Sequence, residues 1–367
     1  QDLDADGRLE TAIHYQGGQK LRVEEDTNAD GKPDAITRFA GGVTQSREAD
    51  SDGDGRFETR AEYQNGVERV QQRDADGDGR PELVIQLSES GDKLREEVAS
   101  PGSAHLDVVR SFEAGRRVRE EQDADGDGRA EIVTRFDGDT PLRREADTNG
   151  DGKPDTVLTF SGGRKQAQEE DRNGDGKPDA RYRFDAEERI AGTELDEDYD
   201  GRFELREQRQ GGVVVRREQL ATSGDAVARR EIYENGALAS IEQDEDGDGR
   251  VDLSSAIGSG GAVLRQEQDR DRDGRVDTWV RLDPKTGAEL EVSRDADGDG
   301  RAEEQRIAGA GGETERLETD RNGDGRPERV VFFAGGRPAR FEEDSDADGG
   351  VDLRGALGAD GQPVLEE

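Results

Sequence analysis

DTNGDGKPDTVLTF, residues 147–160, carries the reading that decides the fold. Oxygen-bearing side chains stand at Asp147, Asn149 and Asp151, Gly152 follows, and Asp155 closes a nine-residue frame, D-x-[DN]-x-D-G-x-x-[DE]. Behind the frame comes a strand-like segment ending in Phe160. The frame returns along the chain at intervals of 24–26 residues, with two gaps of 49 and 48. Fifteen units therefore fill residues 1–367, starting near 2, 26, 50, 74, 98, 123, 147, 171, 196, 220, 244, 269, 295, 320 and 344. The units near 98 and 220 are degenerate, and nothing marks a linker, so the chain reads as one continuous array. A period of this length means a repeat architecture.

Each fixed position has a task if a hard cation sits in the loop. Side-chain oxygens at positions 1, 3 and 5 project to one side of a tight turn. Gly at 6 permits the bend, the carbonyl of position 7 points inward, and the acid at 9 closes the shell. The candidate ligands are Asp2, Asp4, Asp6 and Glu10, then Asp26, Asn28, Asp30 and Asp34, then Asp50, Asp52, Asp54 and Glu58. They continue as Asp74, Asp76, Asp78 and Glu82, then Asp123, Asp125, Asp127 and Glu131, then Asp147, Asn149, Asp151 and Asp155. Next come Asp171, Asn173, Asp175 and Asp179, then Asp196, Asp198, Asp200 and Glu204, then Asp244, Asp246, Asp248 and Asp252. The series ends with Asp269, Asp271, Asp273 and Asp277, Asp295, Asp297, Asp299 and Glu303, Asp320, Asn322, Asp324 and Glu328, and Asp344, Asp346, Asp348 and Asp352. Oxygen donors in this number suit Ca²⁺, at about 13 sites; Mg²⁺ keeps its waters in a stricter octahedron and comes second. Zinc would want His or Cys, and the chain has two His and no Cys.

Past position 9 the loop feeds a strand. Leu9, Thr11, Ile13 and Tyr15 share one face, as do Phe57, Thr59, Ala61 and Tyr63. A turn of Gly or Asn-Gly follows (Gly17-Gly18, Gly41-Gly42, Asn65-Gly66, Gly162-Gly163, Asn235-Gly236), and a second strand runs back to the next loop. Pro at position 8 (Pro33, Pro81, Pro154, Pro178, Pro327) fits a strand entry that needs no ladder donor. The predicted fold is all-β, an elongated solenoid or superhelical array of about 15 β-hairpin repeats joined by Ca-binding loops. A single flat sheet of some thirty strands is not expected, because sheets twist and open ones seldom exceed about ten strands.

Glu also recurs two residues before the frame, at Glu24, Glu48, Glu121, Glu145, Glu169, Glu194, Glu242, Glu267, Glu318 and Glu342. Two readings stand side by side: an extra ligand standing in for the missing Glu of position 12, or a strand residue paired with Arg across the sheet.

DTNGDGKPDTVLTF and DRNGDGRPERVVFF (320–333) resemble the calcium loops of FG-GAP/VCBS repeats. There a D-x-[DN]-x-D-G-x-x-D loop links two strands and holds one Ca²⁺. The acidic loops are also similar to thrombospondin type-3 repeats, which carry Cys. The resemblance covers the nine-residue loop and its following strand in 13 places; the 24-residue period matches neither family.

Composition sets the limits. The chain is 39% charged and 29% hydrophobic, against about 45–50% apolar in ordinary domains, with a net charge of −38. Such a chain repels nucleic acid, and no run of about 18 apolar residues offers a membrane span. A unit holds too few apolar side chains to order itself alone, so stacking and cation binding become part of folding. Thirteen Ca²⁺ would bring the net charge to −12.

In the degenerate units, VASPGSAHLDVVR (98–110) and LATSGDAVARR (220–230), the acid pattern is gone, yet Phe112 and Tyr233 keep the aromatic strand end. The fifth and tenth units are lost, and the fifteenth carries Gly350 at position 7, which suggests a five-unit super-period. His14 and His105 are isolated, and Trp279, the single Trp, reads as a strand residue or an exposed ligand contact. Arg or Lys at loop position 7 reads as charge balance on a solvated face. Thirteen equivalent acid sets argue for structure, and no enzyme is expected. The expected function is a calcium-stabilised extracellular structural protein, a stalk, fibre or surface-layer component of a bacterial cell exterior. The alternative is a calcium-dependent adhesin or ligand-binding module. Arg far outnumbers Lys, which suggests a bacterial source, and scarce cytosolic Ca²⁺ points outside the cell. Partners expected are calcium ions and, beyond them, further copies of the chain or cell-surface components. No signal peptide is visible and Gln1 directly precedes the first loop, so the chain is expected to be a mature or excised portion.

Overall fold

The computed structural model describes residues 9–309, 311–358 and 361–364. They group into two units, 1–178 and 179–367. The first holds 14 strands, from Thr11–Gln16 to Arg164–Glu170, and the second 16, from Ala180–Phe184 to Pro363–Val364. No helix occurs among the described residues. The all-β hairpin array expected from the period is the architecture formed.

Within each unit every strand pairs antiparallel with the next in sequence, giving an open meander. In the first unit, Thr11–Gln16 pairs with Gln19–Glu25, which pairs with Ala35–Ala40, which pairs with Val43–Ala49. The same order runs through the second, as in Val263–Gln268, Thr278–Leu282 and Glu289–Arg294. Pairing thus continues past the ten or so strands usual for open sheets. Short connections favour the adjacent strand, and both connections here are short.

Hairpin turns take the geometry their residues demand. Gly41 and Gly42 have φ of 58° and 80°, and Asn65 and Gly66 have 56° and 80°. Two successive positive φ values are what a two-residue turn matching strand twist requires. The ladder shifts register just before the strand-end aromatic, between Arg38 and Phe39, Glu62 and Tyr63, and Arg135 and Phe136. That bulge re-aims the ring towards a cation on a neighbouring strand. Lys20 lies 5.2 Å from the Phe39 centroid and Arg117 3.9 Å from that of Phe136.

The acidic loops pin one hairpin to the next. The amide of each frame's first residue donates to the carbonyl of the preceding frame's ninth: Asp50 to Asp34 at 2.7 Å, Asp74 to Glu58 at 2.8 Å, Asp295 to Asp277 at 2.8 Å. Side chains, by contrast, bury little apolar surface. The buried hydrophobic residues are seven: Ala35, Ile36, Ala180, Leu220, Val280, Val292 and Phe341. Among the described residues buried loop acids outnumber them, at twelve: Asp26, Asp34, Asp50, Glu58, Asp107, Asp179, Asp196, Asp244, Asp252, Asp269, Asp295 and Asp344. Among the described residues, then, more loop carboxylates than apolar side chains are buried.

Candidate metal centres

Each loop is wired by its own acids. One oxygen of the position-1 Asp accepts from the amide of the position-6 Gly: Gly55 to Asp50 and Gly152 to Asp147 at 2.7 and 2.8 Å. The position-3 side chain accepts from the position-5 amide, as Asp54 to Asp52 at 3.1 Å. The position-5 Asp accepts from the position-7 amide, as Arg56 to Asp54 at 2.8 Å. The position-9 acid reaches back to the position-2 amide, as Ser51 to Glu58 at 2.7 Å. Gly at position 6 is required by this geometry, with φ of 92° at Gly55 and 91° at Gly249. Position 4 also adopts positive φ, even where it is Ala29 (61°), Tyr199 (64°), Arg272 (63°) or Ala347 (58°). The frame left that position open, because non-glycine residues occupy it too.

This wiring turns the acids together, and in many loops it engages both oxygens of the position-1 Asp, as Gly53 and Gly55 donate to the two oxygens of Asp50. Among the described residues, eight groups of acids have ligand atoms within 4.8 Å of one another, close enough to hold a metal ion. Among them are Asp50/Asp52/Asp54/Glu58, Asp74/Asp76/Asp78/Glu82 and Asp123/Asp125/Asp127/Glu131. Asp196/Asp198/Asp200/Glu204 and Asp295/Asp297/Asp299/Glu303 are two more.

The donor set also passes a test of fit. Asp26 Oδ1, Asp74 Oδ1, Asp344 Oδ1, Glu204 Oε1 and Glu328 Oε1 are buried and accept no hydrogen bond. A buried carboxylate oxygen without a partner is costly. These oxygens belong to positions 1 and 9, the two ends of the frame, where a cation would supply the missing partner.

The electrostatics follow the wiring. The Thr27 hydroxyl beside Asp34 holds that carboxyl below its usual range, helped by the amides of Thr27 and Asn28, against the opposing effect of burial. Thr148 does the same for Asp155. At Asp295 burial pushes the carboxyl up, and the amides of Gly300 and Gly298 outweigh it. Asp346 goes the other way: the Asp348 amide pulls it down, but the crowded charges of Asp348, Asp352 and Asp344 together push it above the usual range.

At two of the loops with Asn at position 3 its amide donates to the ninth acid, Asn28 to Asp34 at 2.9 Å and Asn149 to Asp155 at 2.7 Å, whereas Asn322 donates to Asp324. Asp2, Asp4 and Asp6 of the first loop lie outside the described residues, and their ninth-position partner Glu10 stands just before the strand Thr11–Gln16. Asp171, Asn173 and Asp175 share the common wiring in the first unit, while Asp179 belongs to the second and is 2% exposed.

The Glu two residues before the frame, replaced by Gln72 and Ser293 in two units, sits beside Arg, across the ladder at Glu48, Glu194 and Glu242 and two residues along the same strand in most others. Glu24 pairs with Arg22 at 2.7 Å, Glu48 with Arg38 at 2.6 Å and Glu121 with Arg119 at 2.8 Å. Glu145 pairs with Arg143, Glu194 with Arg183 and Glu242 with Arg230. Glu267, Glu318 and Glu342 pair with Arg265, Arg316 and Arg340. Glu169 lies in the strand Arg164–Glu170.

The position-7 cations do more than balance charge. Arg250 donates to the Asp273 carbonyl at 2.9 Å, Arg275 to Gly298 at 3.0 Å and Arg301 to Gly323 at 2.6 Å, each in the next loop. Lys153 reaches Asp175 in the same way at 3.1 Å. His105 occupies this position in the first degenerate unit, with Nε2 3.4 Å from the Asp123 carbonyl. A contact 20 or more residues away leaves no mark in a nine-residue frame.

The degenerate units keep the frame's backbone. At 99–107 the Ala99 amide donates to the Glu82 carbonyl at 2.8 Å, and the Ser100 amide donates to Asp107 at 2.5 Å. Asp107 is therefore the ninth-position acid, and counting 25 residues on from Glu82 finds it. Burial pushes its carboxyl up, but hydrogen bonds from the Ser100 amide and hydroxyl hold it below its usual range. At 220–228, Leu220 and Ala228 replace the acids at positions 1 and 9, and Leu220 is buried.

No protein-family model matches the chain, and no curated protein matches it. Among solved structures it is similar to the GtfA/B complex bound to UDP and GlcNAc, at 17% identity and a TM-score of 0.20, over 25% of this chain and 20% of that one. The accessory secretory protein 1, 2 and 3 structure from Streptococcus pneumoniae is 18% identical, with a TM-score of 0.21 over 32% of this chain and 21% of that one. The Photorhabdus luminescens Tc holotoxin pore is 12% identical, with a TM-score of 0.19 over 96% of this chain and 25% of that one. The chain spans a quarter or less of the length of these proteins, and scores so low carry no functional reading.

Proposed function

We propose that this chain is a calcium-stabilised extracellular structural protein, a stalk, fibre or surface-layer component of a bacterial cell exterior. The observation that carries the reading is the interior itself: buried loop acids outnumber buried apolar side chains, and several of their oxygens lack a partner. Buried carboxylates of this kind destabilise a fold unless a cation joins them. Oxygen-only ligands, four side chains to a loop, favour Ca²⁺ over zinc, and that number of protein oxygens suits Ca²⁺ better than Mg²⁺, which keeps its waters. Positions 1, 3, 5 and 9 of the 13 intact frames would hold the ions, whose charge offsets the loop repulsion. Loops of extracellular type bind at about 10⁻⁴–10⁻³ M, which supports a place outside the cell. Near-interchangeable units support a mechanical role.

Circular dichroism through a thermal scan, in millimolar Ca²⁺, in Mg²⁺ and in EDTA, tests the reading. Cooperative β melting that depends on Ca²⁺, with calorimetric stoichiometry near 13, is the expected outcome. An unchanged melt in EDTA overturns the metal reading. A midpoint far below about 10⁻⁴ M would overturn the extracellular one.

A further inference from the structure

The second unit contains a cleft of about 500 Å³ built around the chain's single tryptophan. Trp279 and Arg281 lie on the strand Thr278–Leu282. Trp279 stands opposite Ser293, and Arg281 stands between Arg265 and Glu291 on the flanking strands. Alternation places all five on one face. Ala302 of the adjoining loop leaves the space open. In other repeats the residue two past the ninth acid is Ile36, Val84, Val133, Val157 or Arg60, so the indole is peculiar to this unit.

We propose that this cleft binds a neutral hexopyranose chain. The half-buried indole offers a flat apolar face on which the C–H face of a sugar ring can stack. Around it, Arg281 Nε and Nη2 donate to Glu291 at 3.0 and 2.8 Å, and Arg265 pairs with Glu267 at 2.7 Å. Gln305 Nε2 fixes the other Glu291 oxygen at 2.6 Å. The fringe is thus locally balanced in charge and carries several hydrogen-bonding side chains. An anionic ligand meets a net charge of −38, and a cation drawn to the indole meets Arg265 and Arg281. A neutral polyhydroxyl ring meets neither obstacle. The volume lies in the range of small-molecule sites, about 300–1,000 Å³.

The lone Trp makes its own assay, since emission excited at the red edge, where the five tyrosines do not absorb, reports on this cleft alone. Maltohexaose, cellohexaose and chitohexaose are titrated in millimolar Ca²⁺, with a sulfated oligosaccharide and tetramethylammonium in parallel. A saturable blue shift with at least one neutral oligosaccharide is expected. Arg281→Ala should weaken it about tenfold, the loss of one charged hydrogen bond. Ala302→Phe should abolish it, and it is compatible with the fold because Phe57 and Phe203 occupy the same loop position. No saturable shift with any neutral probe overturns the proposal. So does saturation by the sulfated or ammonium probe alone, or an unchanged response in both variants that retain the β signal.

Discussion

Two kinds of repeat hold the same hairpin by different means. In an intact unit such as 50–58, four carboxylates converge within 4.8 Å and the strands around them are joined by scattered surface pairs. In the degenerate stretches the converging acid set is gone, Asp107 alone keeping its place, and charge has moved onto the sheet. Around 99–107, Arg110 bridges Glu96 at 2.7 Å and Glu120 at 2.8 Å, linking three strands. Around 220–228, Arg217 joins Glu207 at 2.6 Å and reaches Glu231 at 3.8 Å. On the same strands Arg230 joins Glu218 at 3.0 Å and Glu242 at 2.7 Å. Glu96, Glu120, Glu207, Glu218 and Glu231 all lie here, and all are held below the usual carboxylate range. In each, burial pushes the group up and its Arg, Lys, Gln or Tyr partners outweigh it. An ion-pair ladder, built from fixed side chains, does at these places what a diffusible cation is proposed to do elsewhere.

The largest effect expected from this difference is on chelation. Hydrogen exchange in EDTA should lose protection over the intact loops and their strands, while 93–122 and 205–243 exchange most slowly. Uniform exchange along the chain would break the comparison.

Acid comes next. The five glutamates have folded pKa values depressed from an ordinary 4.5, so they stabilise above that value and lose the contribution as pH falls through their folded values. In EDTA the surviving protection should therefore vanish below about pH 4.5 and return on neutralisation. Protection that is insensitive to acid would show that apolar contacts such as Leu220, and not the ladder, hold these stretches.

A single rung should matter less. Glu207→Gln leaves Arg209 and Arg217 facing a neutral amide and is expected to cost roughly 1–3 kcal/mol of local opening free energy. Exchange rates at 205–220, compared with 108–122 in the same sample, separate this local loss from a global one.

The smallest effect is at loop position 4. Ala29→Gly and Ala347→Gly relieve a left-handed backbone carried by a Cβ, with an expected gain of about 1 kcal/mol each. Thermal melts in saturating Ca²⁺ measure it, and a loss in both variants would mean that chain entropy outweighs the relief.

Much of this was legible locally. The frame specified a tight turn, alternation specified strands, and Gly41-Gly42 or Asn65-Gly66 specified hairpin turns, since these depend on sterics within about ten residues. The acids that converge in loops such as 50–58 and 74–82 were named by spacing alone. Asp107 was legible too, once the period is counted through the broken unit, but the missing Asp neighbours hid it.

What the chain's order determined by itself is the repeat and its local geometry: where a turn forms, which oxygens it gathers, and where each strand begins. The tertiary structure alone decided the contacts between repeats. Register set Arg250 against the next loop's Asp273 carbonyl, set Arg38 against Glu48 and Arg230 against Glu242 across the ladder, and opened the cleft beside Trp279. The physical reason is range. Backbone sterics and Asx-type hydrogen bonds act over a few residues, whereas these partners lie on different strands and meet only after pairing has fixed the register.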